Sequence, residues 1–353
     1  MAEPTLPPIF DGHNDILSKL AASGPSGAIA RFRSNPSSAI DSARAKTGGF
    51  RGGFFAVWIP STNIAGLDYS AMAKSRFSVP LPPEVPHDSA VAAAATQISI
   101  LTNLERAGEV TICKSAEMLE GAITSDGPLA AILHIEGAEA IDRDLALLDV
   151  FHAAGLRSLG PVWSRPNRFG NGVPFRFPTT PDTGPGLTPD GFRLVERCNA
   201  LRIMVDLSHI TEQGFWDVAK RSAHPLVATH SNAHALCASA RNLTDKQLDA
   251  IAETKGMVGV NFATAFLRED GRMIAEVPLT RILDHIDHLL AHLGEDGVGL
   301  GSDYDGALVP DEITGIDQLP RLRALLLERY GAALTEKICW RNWVRVARAT
   351  WGA

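Results

Sequence analysis

The sequence of 353 residues has few cysteines, no excess of positive charge and no long apolar run. The four cysteines, Cys113, Cys198, Cys237 and Cys339, lie far apart and form no C-x-x-C pair. This spacing argues against a disulfide framework and against a zinc cluster held by thiolates. We therefore expect reduced thiols in a cytoplasmic protein.

Positive charge is too scarce for a polyanion-binding surface. The chain has 33 lysines and arginines against 40 aspartates and glutamates, and its formal net charge is -7. Nucleic acids and membrane surfaces are therefore poor candidate partners. No stretch approaches the roughly 18 apolar residues of a membrane span, and the N-terminus lacks a secretory signal pattern. We expect an unanchored protein that acts on small molecules.

The sequence does contain a regular alternation of short apolar runs and longer helical patterns, which is typical of a parallel α/β fold. Eight runs have the character of buried strands, and eight such units predict a (β/α)₈ TIM-type barrel. We expect one barrel domain over residues 1–353. The predicted strands are 9–13, 54–59, 130–136, 156–163, 203–209, 226–230, 257–262 and 298–303. The predicted helices are 37–46, 89–107 with Asp88 as its cap, 144–154, 189–200, 212–221, 245–254 and 280–293.

Two segments have the composition of long loop insertions. Segment 61–86 is rich in proline, and segment 164–191 is rich in proline and glycine. They follow the second and fourth predicted strands, which places them on the face where barrels of this kind carry their sites. Long loops in a compact domain are often functional. We predict that both form lids over a site.

Polar residues gather at the carboxyl ends of five predicted strands, where such barrels place their catalytic groups. Histidine and carboxylate ligands without thiolate suit Zn²⁺ and related ions, so this mouth is a predicted metal site. The set is too large for one ion and fits two ions that share a bridging carboxylate. Its members are His13, Asp15, Glu136, His209, His230 and Asp303.

The bridge between two such ions is predicted to be Glu136. His13 and Asp15 alternate along a strand, so both side chains can face one ion. Many two-metal barrels use a carbamylated lysine as the bridge, but no lysine of this chain lies at a predicted strand end. An ordinary carboxylate on the middle strand takes its place.

The ordered motifs of the chain resemble those of the renal-type (membrane) dipeptidases, zinc metallopeptidases of the amidohydrolase-like superfamily. The resemblance covers most of the chain. It runs through FDGHND, HIEGAEAID, VDLSHIT, ATHSNAHALCASARN, VGVNF and VGLGSDYDG, in order and at barrel spacing.

This resemblance implies two zinc ions per chain. His13 and Asp15 would bind one ion, His209 and His230 would bind the other, and Glu136 would bridge them. The implied reaction is hydrolysis of L-Xaa-L-Xaa and L-Xaa-D-Xaa dipeptides by a metal-bridged hydroxide.

The resemblance also implies the groups that handle the substrate. Asp303 would be the general acid and base, and Arg241 would bind the terminal carboxylate through its planar guanidinium. One position departs from the family pattern, since Trp163 stands where a histidine commonly holds the scissile carbonyl oxygen. We therefore expect Trp163 in the substrate site. The candidates for the missing role are Arg165, Asn167, Arg168 and Asn171.

Several alternatives stay open at this point. Another amide or lactone hydrolase of the same superfamily would use the same ligands, and an inactive metal-binding barrel would explain Trp163. A homodimer is compatible with the sequence and not required by it. His134 is predicted to be a hydrogen-bonded core residue, and the helical histidines His285, His288 and His292 to form a solvated face.

Overall fold

Eight parallel strands form the framework of the computed structural model, which describes residues 6–61 and 68–352. Neighbours along the chain pair with one another, and the first strand pairs with the eighth. A parallel bridge between Asp206 and Val227 links the fifth and sixth strands, so the predicted TIM-type barrel is confirmed. The strands are β1 (Ile9–Asn14), β2 (Phe50–Trp58), β3 (Leu129–Glu136), β4 (Leu156–Gly160), β5 (Met204–Val205), β6 (Val227–Ala228), β7 (Met257–Val260) and β8 (Val298–Leu300).

Helices surround this barrel, and two of the predicted ones, 212–221 and 280–293, have the predicted bounds. None of the described helices is long and apolar enough to cross a membrane. The helices are α1 (Ile16–Ala22), α2 (Ala28–Arg33), α3 (Ser42–Gly48), α4 (His87–Arg106), α5 (Ala116–Thr124), α6 (Ala146–Ala154), α7 (Pro189–Leu201), α8 (Glu212–Arg221), α9 (Asp245–Glu253), α10 (Thr264–Leu267), α11 (Thr280–Leu293), α12 (Leu319–Glu336) and α13 (Asn342–Trp351). Short 3₁₀ turns cover Tyr69–Ala73, Ala138–Ala140, Asp311–Ile313 and Ile316–Gln318, and a π-turn covers Lys337–Arg341.

Three predicted helix starts are wrong. The helix predicted from residue 144 begins at Ala146, and capping residues explain the other two. Asp41 caps α3 by accepting a hydrogen bond from the backbone N–H of Arg44, so this helix begins after residue 41 rather than at residue 37. Asp88 does not cap α4, because it lies inside the first turn and Pro86 precedes the helix. A carboxylate in the first turn still favours the helix through its dipole.

The ring of Trp343, in α13, packs so closely against three barrel strands that each strand has a glycine at the contact. A Cβ atom at Gly12 would lie 2.4 Å from the Trp343 ring, and one at Gly259 or Gly299 would lie 2.9 or 2.7 Å from it. Glycine is therefore needed for the close approach of the indole. The indole N–H donates to the carbonyl of Leu300 at 3.1 Å, which satisfies this buried donor.

The two predicted loop insertions follow β2 and β4. Part of the first, residues 62–67, lies outside the described residues. A short strand at Phe77–Ser78 pairs antiparallel with another at Arg176–Phe177, so each loop is tied to the other. A third short strand, Val110–Ile112, was not predicted and pairs in parallel with the first residues of β3.

Candidate metal centre and active site

Glu136, the last residue of β3, lies at the centre of a buried group of histidines. Its Oε1 atom is 3.0 Å from Nε2 of His209, 3.4 Å from Nε2 of His230 and 3.6 Å from Nε2 of His13. Asp15 follows β1, and its Oδ2 atom lies 3.5 Å from the same His13 nitrogen. Strand ends far apart in the sequence thus bring all five predicted metal ligands together.

These side chains form two groups of three that share Glu136. In each group the possible ligand atoms lie within 4.8 Å of one another. Such an arrangement suits two ions with one carboxylate between them. The first group is His13, Asp15 and Glu136, and the second is Glu136, His209 and His230.

The histidine nitrogens that face Glu136 have few partners within the protein. Within the described chain neither ring nitrogen of His13 has a partner. Nε2 of His209 lies only 3.2 Å from Nε2 of His230. A cation between such nitrogens would use lone pairs that are otherwise left facing one another. The donor set therefore fits a metal.

Hydroxyl groups hold two of these imidazoles through their other nitrogen. Nδ1 of His209 lies 2.8 Å from Oγ of Ser164, and Nδ1 of His230 lies 2.9 Å from Oγ1 of Thr229. Thr229 in turn donates to Asp206 at 2.7 Å, so its oxygen can accept from the imidazole. With the proton on Nδ1, each Nε2 is free to bind an ion, as in many metal sites.

Burial and neighbouring charges shift the pKa values of the ionisable groups in the centre. Burial raises the pKa of Glu136 well above its usual range. Burial lowers the pKa of His13, but the carboxylates of Glu136 and Asp15 outweigh this and raise it to about 10. Burial lowers the pKa of His209 and His230 well below the usual range, which keeps both imidazoles neutral. A divalent cation would balance these carboxylates.

The backbone turns sharply at two of the site residues. His209 and Asp303 adopt left-handed conformations, with φ of 67° and 62°. This region costs a non-glycine residue about 1–2 kcal/mol. The predicted strands 203–209 and 298–303 accordingly end early, at Val205 and Leu300, and the site residues follow on turns.

Asp303 is held in place by a residue that the sequence did not identify. Its Oδ2 atom accepts a hydrogen bond from Nδ2 of Asn261 at 3.0 Å, and its backbone N–H donates to the carbonyl of His13. Asn261 stands directly after β7, in the motif VGVNF, so the strand-end rule that found the other residues could have found it. Asp206, directly after β5, was missed in the same way.

His134 is the hydrogen-bonded core histidine that we predicted. It is fully buried, and its Nδ1 atom lies 2.9 Å from Oγ of Ser158. Its Nε2 atom lies 3.6 Å from Asp206 rather than at the metal centre. Burial lowers the pKa of His134 to about 3, so the ring is neutral.

A cavity of about 350 Å³ opens onto this centre. Asp15, Glu136, His209 and Asp303 line its polar end, and no lysine or arginine among the described residues lines it. The remaining wall is mostly apolar and includes five aromatic residues, and both loop insertions contribute to it. The aromatic and sulfur-containing lining residues are Trp58, Tyr69, Met72, Trp163, Phe175, Phe266 and Met273.

Trp163 belongs to this wall, next to the metal centre. Its ring centroid lies 5.8 Å from that of His209 and 5.3 Å from that of Trp58. The guanidinium of Arg165 lies 5.2 Å from the Trp163 ring centre and donates to Glu139 at 2.7 Å. Arg165 thus supports the aromatic wall and does not line the cavity.

The other three candidates for the missing histidine role also lie outside the cavity lining. Their side chains contact groups of the loop after β4 or of the adjoining helix. The contacts are Asn167 with Pro161, Arg168 with Asp190, and Asn171 with Gly186. None of the four candidates is therefore placed to hold a carbonyl oxygen.

Arg241 is buried beside the centre and, like Arg165, is not among the residues that line the cavity. It donates through Nη2 to the carbonyl of His230 at 3.1 Å, and its guanidinium lies 5.3 Å from the ring centre of Phe266. Its Nε atom has no hydrogen-bond partner among the described residues. An unused donor on a buried cation is suited to an anionic ligand.

Comparison with known proteins agrees with this geometry. Residues 5–351 match the model of the membrane dipeptidase family (Peptidase family M19). The chain is 50% identical over 258 residues to an uncharacterized protein in the pqqA 5′ region of Klebsiella pneumoniae, which covers 72% of this chain and 95% of that protein.

Solved structures extend the comparison. A metallopeptidase from Rhodobacter sphaeroides, liganded with a phosphinate mimic of the dipeptide L-Ala-D-Ala, is 48% identical with a TM-score of 0.94, over 98% of this chain and 100% of that chain. The probable dipeptidase PvdM from Pseudomonas aeruginosa is 21% identical with a TM-score of 0.77, over 98% of this chain and 96% of that chain, and shows the shared fold.

Proposed function

The chain belongs to the membrane dipeptidase family (Peptidase family M19), and we propose that it is a binuclear zinc dipeptidase that cleaves L-Xaa-L-Xaa and L-Xaa-D-Xaa dipeptides. The observation that carries this proposal is the position of Glu136, which both groups of ligand atoms share. The mimic of L-Ala-D-Ala bound to the Rhodobacter sphaeroides metallopeptidase supports the substrate class.

The chain's own residues then have distinct tasks. A pair of zinc ions, when bound, lowers the pKa of a shared water and polarises the scissile carbonyl. Asp303 takes the proton of the attacking water and passes it to the departing amine, a transfer that needs hydrogen-bond reach to both atoms. Asn261 fixes one oxygen of Asp303, which leaves the other for the proton. Trp163 and Phe175 line the cavity beside His209 and exclude water from that part of its wall.

We also propose that residues 1–353 form one catalytic domain that works in a reducing compartment such as the cytoplasm. One apolar cluster runs from Ile9 to Trp351, which supports a single domain. The four cysteines are buried and unpaired, which supports the compartment.

A screen of dipeptides tests the proposed reaction. The panel contains L-Ala-L-Ala, L-Ala-D-Ala, the blocked analogue N-acetyl-Ala-Ala, a cyclic dipeptide and a lactone. We expect turnover of the free dipeptides alone, with zinc bound to the enzyme. Hydrolysis of the cyclic amide or the lactone without dipeptide turnover would show that the chain is another hydrolase of the superfamily.

The cavity wall predicts a preference for apolar side chains. Aromatic residues and methionines line it, the nearby carboxylates repel acidic groups, and no lysine or arginine of the described lining offsets them. Burying a large apolar side chain contributes about 1.5–3 kcal/mol. We expect kcat/KM for L-Leu-L-Ala and L-Phe-L-Ala to exceed that for L-Asp-L-Ala at least ~10-fold. Equal or better cleavage of the acidic dipeptide would show that this wall does not select the substrate.

Arg241 is predicted to bind the substrate carboxylate. We expect Arg241→Ala to lower kcat/KM for dipeptides by ~10- to 150-fold, mainly through KM, because a hydrogen bond to a charged group contributes about 1.5–3 kcal/mol. Arg241→Lys keeps the charge and checks for structural damage, and Arg168→Ala on the exposed loop is the control. An unchanged KM in a folded Arg241→Ala enzyme would remove Arg241 from the substrate site.

A further inference from the structure

Two histidines and two aspartates meet on the outside of the barrel, where α9 packs against α11. Asp245 and Asp249 are four residues apart on α9, and His288 and His292 are four residues apart on α11. Residues at this spacing share one helix face. The packing of the two helices therefore brings two pairs of potential ligands to one place, and none of the four lines the cavity at the metal centre.

The distances within this outer cluster suit a metal ion. Nε2 of His288 lies 2.8 Å from Oδ1 of Asp245, and Nε2 of His292 lies 3.7 Å from the same oxygen. One ligand atom from each of the three side chains lies within 4.8 Å of the others. Ligand atoms about 2.0–2.1 Å from a tetrahedral zinc ion are separated by roughly 3.3 Å, so only small side-chain shifts are needed.

The predicted solvated face is wrong for His285, which is fully buried and contacts the backbone of Ala233 and Leu267. Asp249 distinguishes the other two histidines from such a face. Its Oδ1 atom lies 2.8 Å from Nδ1 of His292. This contact places the proton of His292 on Nδ1 and leaves the lone pair of Nε2 on the side of Asp245. The same reasoning gives Nε2 of His288 a proton that it donates to Asp245, and an ion bound there would displace that proton. A carboxylate that holds the far nitrogen of an imidazole is the usual second partner of a metal-binding histidine.

We propose that His288, His292 and Asp245 form a further metal site, for Zn²⁺ or another transition ion that favours imidazole, and that Asp249 orients His292. Both histidine side chains are 23% exposed, so an ion can reach them and keep water in its remaining position. The site joins α9 to α11, so an ion bound there stabilises the folded state by an amount that rises with the logarithm of the ion concentration above Kd. This proposal does not depend on the activity proposed above.

Zinc analysis of the purified chain tests the proposal. The wild-type chain, equilibrated with excess zinc and then freed of loosely held ions on a desalting column, is expected to hold one ion more than His288→Ala/His292→Ala. The control His152→Ala, a helix-borne histidine outside any such cluster among the described residues, should keep the wild-type content. Dipeptide hydrolysis by the double variant should be unchanged, because the removed histidines lie outside the cavity.

The variant Asp249→Asn tests whether Asp249 only orients His292 or binds the ion itself. We expect it to keep the site but to weaken zinc binding ~10- to 100-fold, the range found for such supporting partners. Replacing zinc by Co²⁺ adds a visible absorption band for this site, which His288→Gln alone should reduce. Equal zinc content and equal Co²⁺ spectra in the wild type and the histidine variants would overturn the proposal and leave a set of imidazole–carboxylate ion pairs.

Discussion

Glutamine in place of Glu136 is expected to lower kcat for dipeptides at least ~10³-fold and to reduce the zinc content of the metal centre. The Oε1 atom of Glu136 lies within 3.6 Å of three imidazole nitrogens, so one neutral substitution weakens the binding of both ions. The loss of metal polarisation amounts to several kcal/mol of barrier, and each 1.36 kcal/mol is a factor of about ten. Metal analysis and steady-state kinetics on the same preparation measure both effects.

The control for this experiment is another buried glutamate. Glu139 lies three residues further on and pairs with Arg165 rather than with the histidines. Glu139→Gln should therefore keep the full zinc content, even if it lowers stability. Normal zinc content and turnover in Glu136→Gln would show that Glu136 is not a ligand.

Asparagine in place of Asp303 is expected to lower kcat by ~10²- to 10⁴-fold, the range for removal of a general acid or base. Its zinc content should stay normal, because Asp303 belongs to neither of the groups built on Glu136. Possible ligand atoms of Asp303, His13 and His230 also lie within 4.8 Å of one another. The zinc content of this variant therefore tests whether Asp303 is a ligand. Loss of zinc from Asp303→Asn would reassign this residue as a ligand.

Asn261→Ala provides a graded comparison. It removes the hydrogen bond to Oδ2 of Asp303 and leaves the carboxylate in place. We expect a smaller loss of kcat than in Asp303→Asn, with unchanged KM and zinc content. A loss as large as that of Asp303→Asn would mean that Asn261 itself contacts the substrate.

The barrel could be predicted because its strands are buried on both faces and read as short apolar runs. β3 is buried at all eight positions, and its predicted range differs from the structure by one residue. The turns after β5 and β8 could not be predicted from composition, since the left-handed backbone of His209 and Asp303 is set by tertiary contacts. Helices α12 and α13 were not predicted, although the alternation of a barrel calls for a helix after its eighth strand.

The candidate metal centre could be predicted from residue types at strand ends, because a parallel barrel brings all those ends to one face. Contacts between side chains that are remote in the sequence could not be predicted in this way. The ion pair with Glu139 shows that Arg165 does not face the substrate site. The contact between Asp249 and His292 makes a predicted solvated face a candidate metal site. Both depend on helix and loop packing that residue spacing does not encode.

The number of zinc ions needed for activity tests the central proposal most directly. The measurement uses metal-depleted His288→Ala/His292→Ala enzyme, so that the outer cluster takes up no ion, and follows L-Ala-D-Ala hydrolysis as zinc is added. We expect activity to rise until two ions are bound per chain and then to stay constant. Full activity at one ion per chain, or no hydrolysis at any zinc content, would contradict it.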